Sequence, residues 1–312
     1  MQTLPRSTAL AWGVASLVVI TSSLVVLGAL VRAHGAGLAC PDWPLCFGQA
    51  IPEFDLKVAF EWSHRVLAGS VGLIFLGLGG AILWQPATRG PAGKLVVLSA
   101  VLLAVQVLLG ALTVWELLAR WSVTSHLLVG NAFNASLLVL ALRLSDLGKG
   151  KILRPVARGV RQAVWGIAIL LLVQLILGGL VSSGYAGLAC PEWPTCNGGR
   201  WFPSWRGSVG IHLFHRMTGY TLVVALVATA WRVRNVKRVG PLAMLAALLG
   251  LTQMLVGIFN VVLGLPVEVT GLHSALAAGL VLTIAAALYG CYNAEPGCET
   301  EREHNTEPGG TK

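Results

Sequence analysis

Four histidines and four cysteines are the residues of this chain best suited to chemistry, and both sets fall into pairs that recur. His64 and His126 lie in the first half of the 312 residues, His215 and His273 in the second. Cys40 and Cys46 belong to GLACPDWPLC at 37–46, and Cys190 and Cys196 to GLACPEWPTC at 187–196. Eight of the ten letters agree; Asp42 becomes Glu192 and Leu45 becomes Thr195. Cys, Trp and Pro are too rare for chance to write such a stretch twice. Two imidazoles from facing helices are what six-coordinate haem iron takes, one on each face of the ring. A C-x5-C pair in an oxidising compartment closes as a disulfide. Such a pair serves either as a staple over its loop or as a redox-active dithiol.

The duplication reaches beyond the loops. Glu61-Trp62-Ser63-His64-Arg65 aligns with His212-Leu213-Phe214-His215-Arg216, and Gln106-Val107-Leu108-Leu109-Gly110 with Gln253-Met254-Leu255-Val256-Gly257. His126 then falls on His273. A lone histidine in a membrane helix reads as a polar group satisfied by a neighbouring helix; four in a duplicated pattern point to ligation. Glu61 breaks the repeat. It stands one turn from His64, so both project from one helix face. A carboxylate there can handle a proton or stabilise developing positive charge; the plain alternative is a favourable charge near a helix start. Arg65 and Arg216 each follow a histidine and suit a haem propionate, which takes two hydrogen bonds from a guanidinium. Interfacial anchoring is the alternative for both.

Other metals fit less well. Glu61 and His64 have the E-x-x-H spacing of di-iron bundles. The second half has His212 in place of the glutamate, and only Glu116 and Glu268 are further acids in or near the apolar runs. Zinc favours a tighter ligand cluster. Cys291 and Cys298 read as free thiols, and His34 and His304 have no repeat partner and no assigned role.

The elements that must position these groups follow from composition. Hydrophobic residues make up 55% of the chain and charged ones 11%, with a mean hydropathy of +0.75, against about 25% charged residues in a soluble domain. Eight runs, 10–31, 60–84, 95–118, 122–142, 163–183, 209–231, 241–265 and 269–292, are long enough for helices that cross a bilayer. They do not alternate as barrel strands do. The first run is too long for a signal peptide, and GLAC recurs in mid-chain, so it is not a lipoprotein cleavage site.

The net charge of +9 is a topology signal. Eight spans put both termini on one side. Of the 22 basic residues, only Arg32, Lys57, Arg65, Arg120, Arg200, Arg206 and Arg216 fall towards the other side. The positive-inside rule places the termini in the cytoplasm and the cysteine loops outside, and leaves no role for nucleic acid. The expected architecture is an all-α integral membrane protein. Its two tandem four-helix bundles are related by a pseudo-twofold axis along the membrane normal. The halves are 1–145 and 161–294, joined by a basic cytoplasmic linker at 146–160 and followed by a polar, disordered tail at 295–312. Every even-numbered span starts on the outer side, so the four histidines share one depth.

Together these residues resemble the heme A synthase family, which oxidises heme O to heme A for cytochrome oxidase. The resemblance covers about 10–292 and rests on the GLACPDWPLC-type loop, E-x-x-H-R before His126, and H-x-x-H-R before His273. It implies a haem b cofactor in the C-terminal half, held by His215 and His273. It implies a heme O site near His64 and His126 in the N-terminal half, with Glu61 catalytic. The reaction it implies turns a porphyrin methyl into a formyl group by successive hydroxylations and loss of water. Heme O synthase is then a candidate partner, lipid the surroundings, the cell membrane the location, and a homo-oligomer a candidate assembly. Two other classes use the same histidine pairs. A b-type electron-transfer cytochrome has no need of Glu61, and a haem transporter or chaperone turns nothing over.

Overall fold

The computed structural model describes residues 6–148 and 155–293. Eight α-helices account for its regular structure: α1 (Arg6–Ala33), α2 (Leu56–Trp84), α3 (Pro86–Trp115), α4 (Arg120–Gly148), α5 (Arg158–Ser183), α6 (Gly207–Val233), α7 (Gly240–Val262) and α8 (Val267–Tyr292). Each is long and apolar enough to cross a membrane, and the chain is a multi-pass membrane protein. The β pairing among the described residues is two isolated bridges, Cys46 with Gln49 and Asn197 with Arg200, one in each cysteine loop.

The helices outrun the apolar runs where polar residues close their ends. Asp55 caps α2 by accepting from the backbone N–H groups of Lys57 and Val58, so α2 begins before its apolar stretch. Pro86 opens α3 at the first position, where a missing N–H costs nothing. Both α3 and α7 stop short of the expected 118 and 265. Leu117, Leu118 and Leu265 take positive φ angles there and fold the chain back onto the last turn. The linker expected at 146–160 is trimmed from both sides, since α4 continues to Gly148 and α5 begins at Arg158. The tail expected at 295–312, with Cys298 and His304, lies outside the described residues.

Helix α1 packs on α2 and α4, and α3 packs on the same two, closing one four-helix ring; α5, α6, α7 and α8 close the second in the same order. The rings meet through α1 with α8, α4 with α5, and α4 with α8. Exchanging α1–α4 with α5–α8 leaves that set of pairings unchanged, as a twofold relation between the halves requires. Lipid tails are as apolar as leucine, so close packing rather than hydrophobic burial holds such helices together. Gly179 shows this at the α4–α5 contact: a Cβ there would stand 2.8 Å from Thr124 Cγ2.

The tight apolar cores occupy one end of each ring. Val14, Leu17, Phe75, Val96, Leu137 and Leu140 form the first, and Val164, Ile167, Leu226, Val233, Ala246 and Ile284 the second. All of these come from the later turns of even-numbered helices or the earlier turns of odd-numbered ones. The histidines come from the opposite end, beneath the cysteine loops. Large side chains such as Trp12, Leu73, Trp84, Val224 and Trp231 point outward, where lipid would meet them.

Polar contacts pin the halves to each other at both ends. At the core end, Asp146 is buried, 2.5 Å from the Arg238 guanidinium, and accepts from the Tyr289 hydroxyl at 2.8 Å. That tie holds the last turn of α4 in helix. At the loop end, Arg32 donates through Nε to Ser182 Oγ at 2.7 Å and through Nη2 to the Ser182 carbonyl, and stacks over the Tyr185 ring.

Candidate functional site

His64 is the ninth residue of α2 and His215 the ninth of α6, while His126 and His273 are the seventh residues of α4 and α8. At 1.5 Å per residue these positions lie about 9–12 Å along their helices from the loop end, so the four rings share one level. Helices α2 and α4 stand at opposite corners of the first ring, and α6 and α8 of the second, so each half brings its two histidines from across the ring.

Each ring rests on a glycine of the preceding helix. A Cβ at Gly28, Gly110, Gly178 or Gly257 would stand 3.1, 3.3, 3.1 or 2.9 Å from Cε1 of His64, His126, His215 or His273 respectively. In all four rings Nδ1 is buried without a hydrogen-bond partner. A buried polar atom left so costs about 1–3 kcal/mol. The fourfold repetition makes it a property of the design rather than an accident of one site.

Three glutamines surround the rings. Gln106 on α3 approaches His126, with 3.2 Å between the Nε2 atoms. Gln253 on α7 stands four residues before Gly257, the glycine under His273, and Gln174 on α5 four residues before Gly178, the glycine under His215. Their Oε1 atoms are also buried and unpartnered. No group of three or more His, Cys, Asp or Glu capable of holding a bare ion occurs among the described residues. Two imidazoles per half with unsatisfied ring nitrogens fit a haem, whose macrocycle supplies the other four nitrogens to the iron.

The cysteine loops cover this level from outside. Cys40 and Cys46 are bonded with S–S 1.99 Å, Cys190 and Cys196 with S–S 2.05 Å, and all four are buried. The Trp43–Pro44 and Trp193–Pro194 bonds are both cis. Asp42 accepts from the N–H groups of Phe47 and Gly48 at 2.6 and 2.7 Å. Glu192 accepts from Gly198 and Gly199 at 2.9 and 3.1 Å and from the Thr195 hydroxyl at 2.8 Å. The second loop holds one more residue between its last cysteine and the next helix, and the longer side chain follows the displaced turn. These bonds hold both carboxyls below their usual range. The Gly48 N–H is the largest influence on Asp42, and the Thr195 hydroxyl on Glu192.

Arg65 and Arg216 reach up from the histidine helices into these loops. Arg65 donates to the carbonyls of Asp42 and Leu45 at 2.6 Å and of Cys40 at 3.2 Å. Arg216 donates to those of Thr195, Cys190 and Glu192 at 3.0, 3.0 and 2.6 Å. The structure thus gives both arginines a loop-clamping job, with few N–H groups left for a propionate. Glu61 is buried beside Arg65, with 2.5 Å between them, and its other oxygen accepts from the Cys40 N–H at 2.8 Å. His212, at the same place in the second half, meets the Ala186 carbonyl through Nδ1 at 2.9 Å. Of the residues left without a role, His34 stacks on Phe60 and Cys291 is buried as a free thiol.

A family model described as a cytochrome oxidase assembly protein, COX15-CtaA, matches residues 10–285. The chain belongs to this family. Among curated relatives, it is 31% identical to the heme A synthase of Shewanella oneidensis, over 90% of this chain and 96% of that protein. It is 33% identical to that of Alkalihalophilus pseudofirmus over 77% and 84%, and 31% identical to that of Halalkalibacterium halodurans over 84% and 90%. The COX15-CtaA match thus spans both rings and both histidine pairs.

The histidines, Glu61, the arginines and the cysteines are legible in the sequence; the four glycines and Gln174 are not. Gly110 and Gly257 stood in an aligned stretch, and Gly28 and Gly178 occur at one spacing before the two loops; that recurrence was the available signal.

Proposed function

We propose that the chain is a heme A synthase, a membrane haem-dependent oxidoreductase that converts heme O to heme A. The observation that carries the reading is the repeated, glycine-cradled histidine pair, in a chain whose relatives bear that name over nearly their whole length. His215 and His273 hold a haem b as resident cofactor, and His64 and His126 receive heme O. When bound, the cofactor supplies one-electron redox chemistry to the reaction. Two hydroxylations of one methyl carbon, each a two-electron oxidation whose oxidant comes from outside the chain, give a geminal diol, and loss of water leaves the formyl group.

The protein's part is to bind, orient and bring charge. The histidine pair of each half would hold its haem, and the disulfide loops above the histidine level would limit water there. Glu61 supplies a fixed anion at the level of His64, held by Arg65 and the Cys40 N–H. Such an anion favours positive charge developing on substrate and stands ready to take a proton. The second half places a neutral hydrogen-bonding imidazole, His212, where the first has this carboxylate. Arg65 and Arg216 act first by clamping the loops, and a propionate would reach them only at the edge of that clamp. The termini lie in the cytoplasm, since Arg89, Lys94, Arg143, Arg158, Arg161, Arg232, Arg234, Lys237 and Arg238 gather at the end away from the loops. A heme O synthase supplies the substrate.

The test is extraction and chromatography of haems from membranes in which this chain is expressed beside a heme O synthase. The formyl-bearing product is expected. Heme O persisting unchanged, with the chain present and loaded with haem b, overturns the reading.

A further inference from the structure

The stretch between each cysteine loop and the next helix is where the duplicated halves part in charge. Ten and nine residues before His64 stand Phe54 and Asp55; at the same intervals before His215 stand Trp205 and Arg206. Gln49 and Arg200 are matched too, since their carbonyls accept from the N–H groups of Cys46 and Cys196 at 3.1 and 2.8 Å. Asp55 caps α2 with two hydrogen bonds, whereas Arg206 holds the same cap position of α6 and makes no capping bond. A cation at a helix start is locally unfavourable, so α6 itself gives no reason for an arginine there. Arg200 and Arg206 are both exposed, and neither meets a carboxylate among the described residues. Residues 197–216 contain no acid at all.

The aromatic residues of this stretch run down the side of α6. Phe202 stacks on Trp205 with ring centroids 5.4 Å apart, and Trp205 leans on Phe214 at 5.3 Å. Phe214 is the eighth residue of α6 and directly precedes His215, so the stack reaches about 10 Å below the first residue of the helix. Its counterpart in the first half is Ser63. Although stacked on one another, Phe202, Trp205 and Phe214 stay 51, 50 and 50% exposed, and Trp201 beside them 56%. Aromatic rings with cations above them, beside the outer end of a membrane-crossing helix, match the boundary between lipid headgroups and acyl chains. A guanidinium at that boundary pairs with phosphate.

We propose that residues 200–206, together with Phe214, form an interfacial anchor that binds anionic phospholipid in the leaflet on the loop side. The rings lie among the upper acyl carbons, and Arg200 and Arg206 sit on the phosphates. The matching stretch of the first half carries Glu53 and Asp55 and is held off such a surface. Interfacial anchors help to set the depth and tilt of a span, so this one seats α6, and His215 with it, in the bilayer.

The full chain in phosphatidylcholine nanodiscs tests the proposal. The discs are doped with phosphatidylglycerol or phosphatidylcholine bearing a diazirine on the upper acyl chain, and adducts are mapped by mass spectrometry after photolysis. Each arginine at an anionic surface is worth about fivefold. Adducts are therefore expected on 201–206 and on Phe214, with phosphatidylglycerol ahead of phosphatidylcholine by at least about fivefold and with 49–55 near background. Arg200→Gln with Arg206→Gln should bring the two lipids to parity at an unchanged melting temperature, since neither side chain is bonded among the described residues. Trp205→Ser should lower adducts from both lipids on 201–206. Labelling of 49–55 equal to that of 201–206, or none at 201–206, overturns the anchor, and so does shielding of the stretch by a second copy or another protein, which native mass spectrometry of the same discs would reveal. A phosphatidylglycerol preference that survives the double arginine variant overturns the role of Arg200 and Arg206.

Discussion

Gly257→Ala puts the ligand assignment under the most direct strain. The new methyl carbon would stand 2.9 Å from His273 Cε1, where unstrained carbon atoms sit about 3.5–4.0 Å apart. In the absence of iron the ring can swing away, and the helix gains about 0.5–1 kcal/mol because alanine replaces glycine. With the ring held on iron the gap must be opened by strain, and overpacking of that size costs about 1–3 kcal/mol. At about 1.4 kcal/mol per decade that is roughly a 5- to 150-fold loss of haem affinity. The same change should raise the melting temperature of the haem-free protein and lower haem occupancy, a pair of opposite signs that general damage does not produce. The spacing also orders each half: Gly257→Ala at 2.9 Å should cost more resident haem than Gly178→Ala at 3.1 Å, and Gly28→Ala at 3.1 Å should weaken haem loaded in the first half more than Gly110→Ala at 3.3 Å. Gly166, with nothing within 4 Å of its Cβ position, is the control. Haem per polypeptide from pyridine haemochrome spectra, and thermal melts with and without haem, are the assays. Full occupancy and an unaltered low-spin spectrum in Gly257→Ala would refute the cradle and, with it, His273 as a ligand.

Three further outcomes are expected. Glu61→Gln should keep the resident haem spectrum while lowering heme A formation at least about tenfold, with heme O or a hydroxylated intermediate accumulating in the extracted haems; near-normal product returns Glu61 to anchoring the loop. Cys40→Ser with Cys46→Ser should lower thermal stability by roughly 2–3 kcal/mol, the scale for closing a short loop, and should leave turnover intact if the bond is a staple, whereas lost turnover at unchanged stability assigns it a redox role. Asp42 and Glu192 have folded-state pKa values below their ordinary 3.8 and 4.5, so their help to loop order is complete above those values and is lost as pH falls through the depressed ones; loop protection measured by hydrogen exchange should therefore fade only in strong acid, and Asp42→Asn should abolish that pH dependence in the first loop.

What could be read from the sequence divides along local and non-local lines. The spans were legible because each is an unbroken apolar run, and the histidines and cysteines because their types are rare and their spacing repeats. Helix ends were less so: Asp146 reads as part of a charged linker until Arg238 and Tyr289, far along the chain, are seen beside it. The glycine cradles were invisible for a related reason. In helices apolar on every side, no periodicity says which face looks inward, so nothing marked Gly28 as the neighbour of His64 rather than of lipid. Gln174 is not marked by the repeat, which has Leu24 in its place.

The contact between Arg32 and Ser182 has a bearing on how such a chain can arise. The two positions are equivalent in the repeat, each five residues before the glycine that opens GLAC at 37–40 or 187–190. A residue touching its own equivalent sits beside the twofold axis. In a homodimer of four-helix units that place must carry one amino acid twice, and two arginines there would repel with no serine to receive them. Joining the copies in one polypeptide removed that constraint, since only then can one side become a donor and the other an acceptor. A synthetic protein made of two first halves should for this reason dock poorly, and Arg32→Ser in one copy alone should restore the fit.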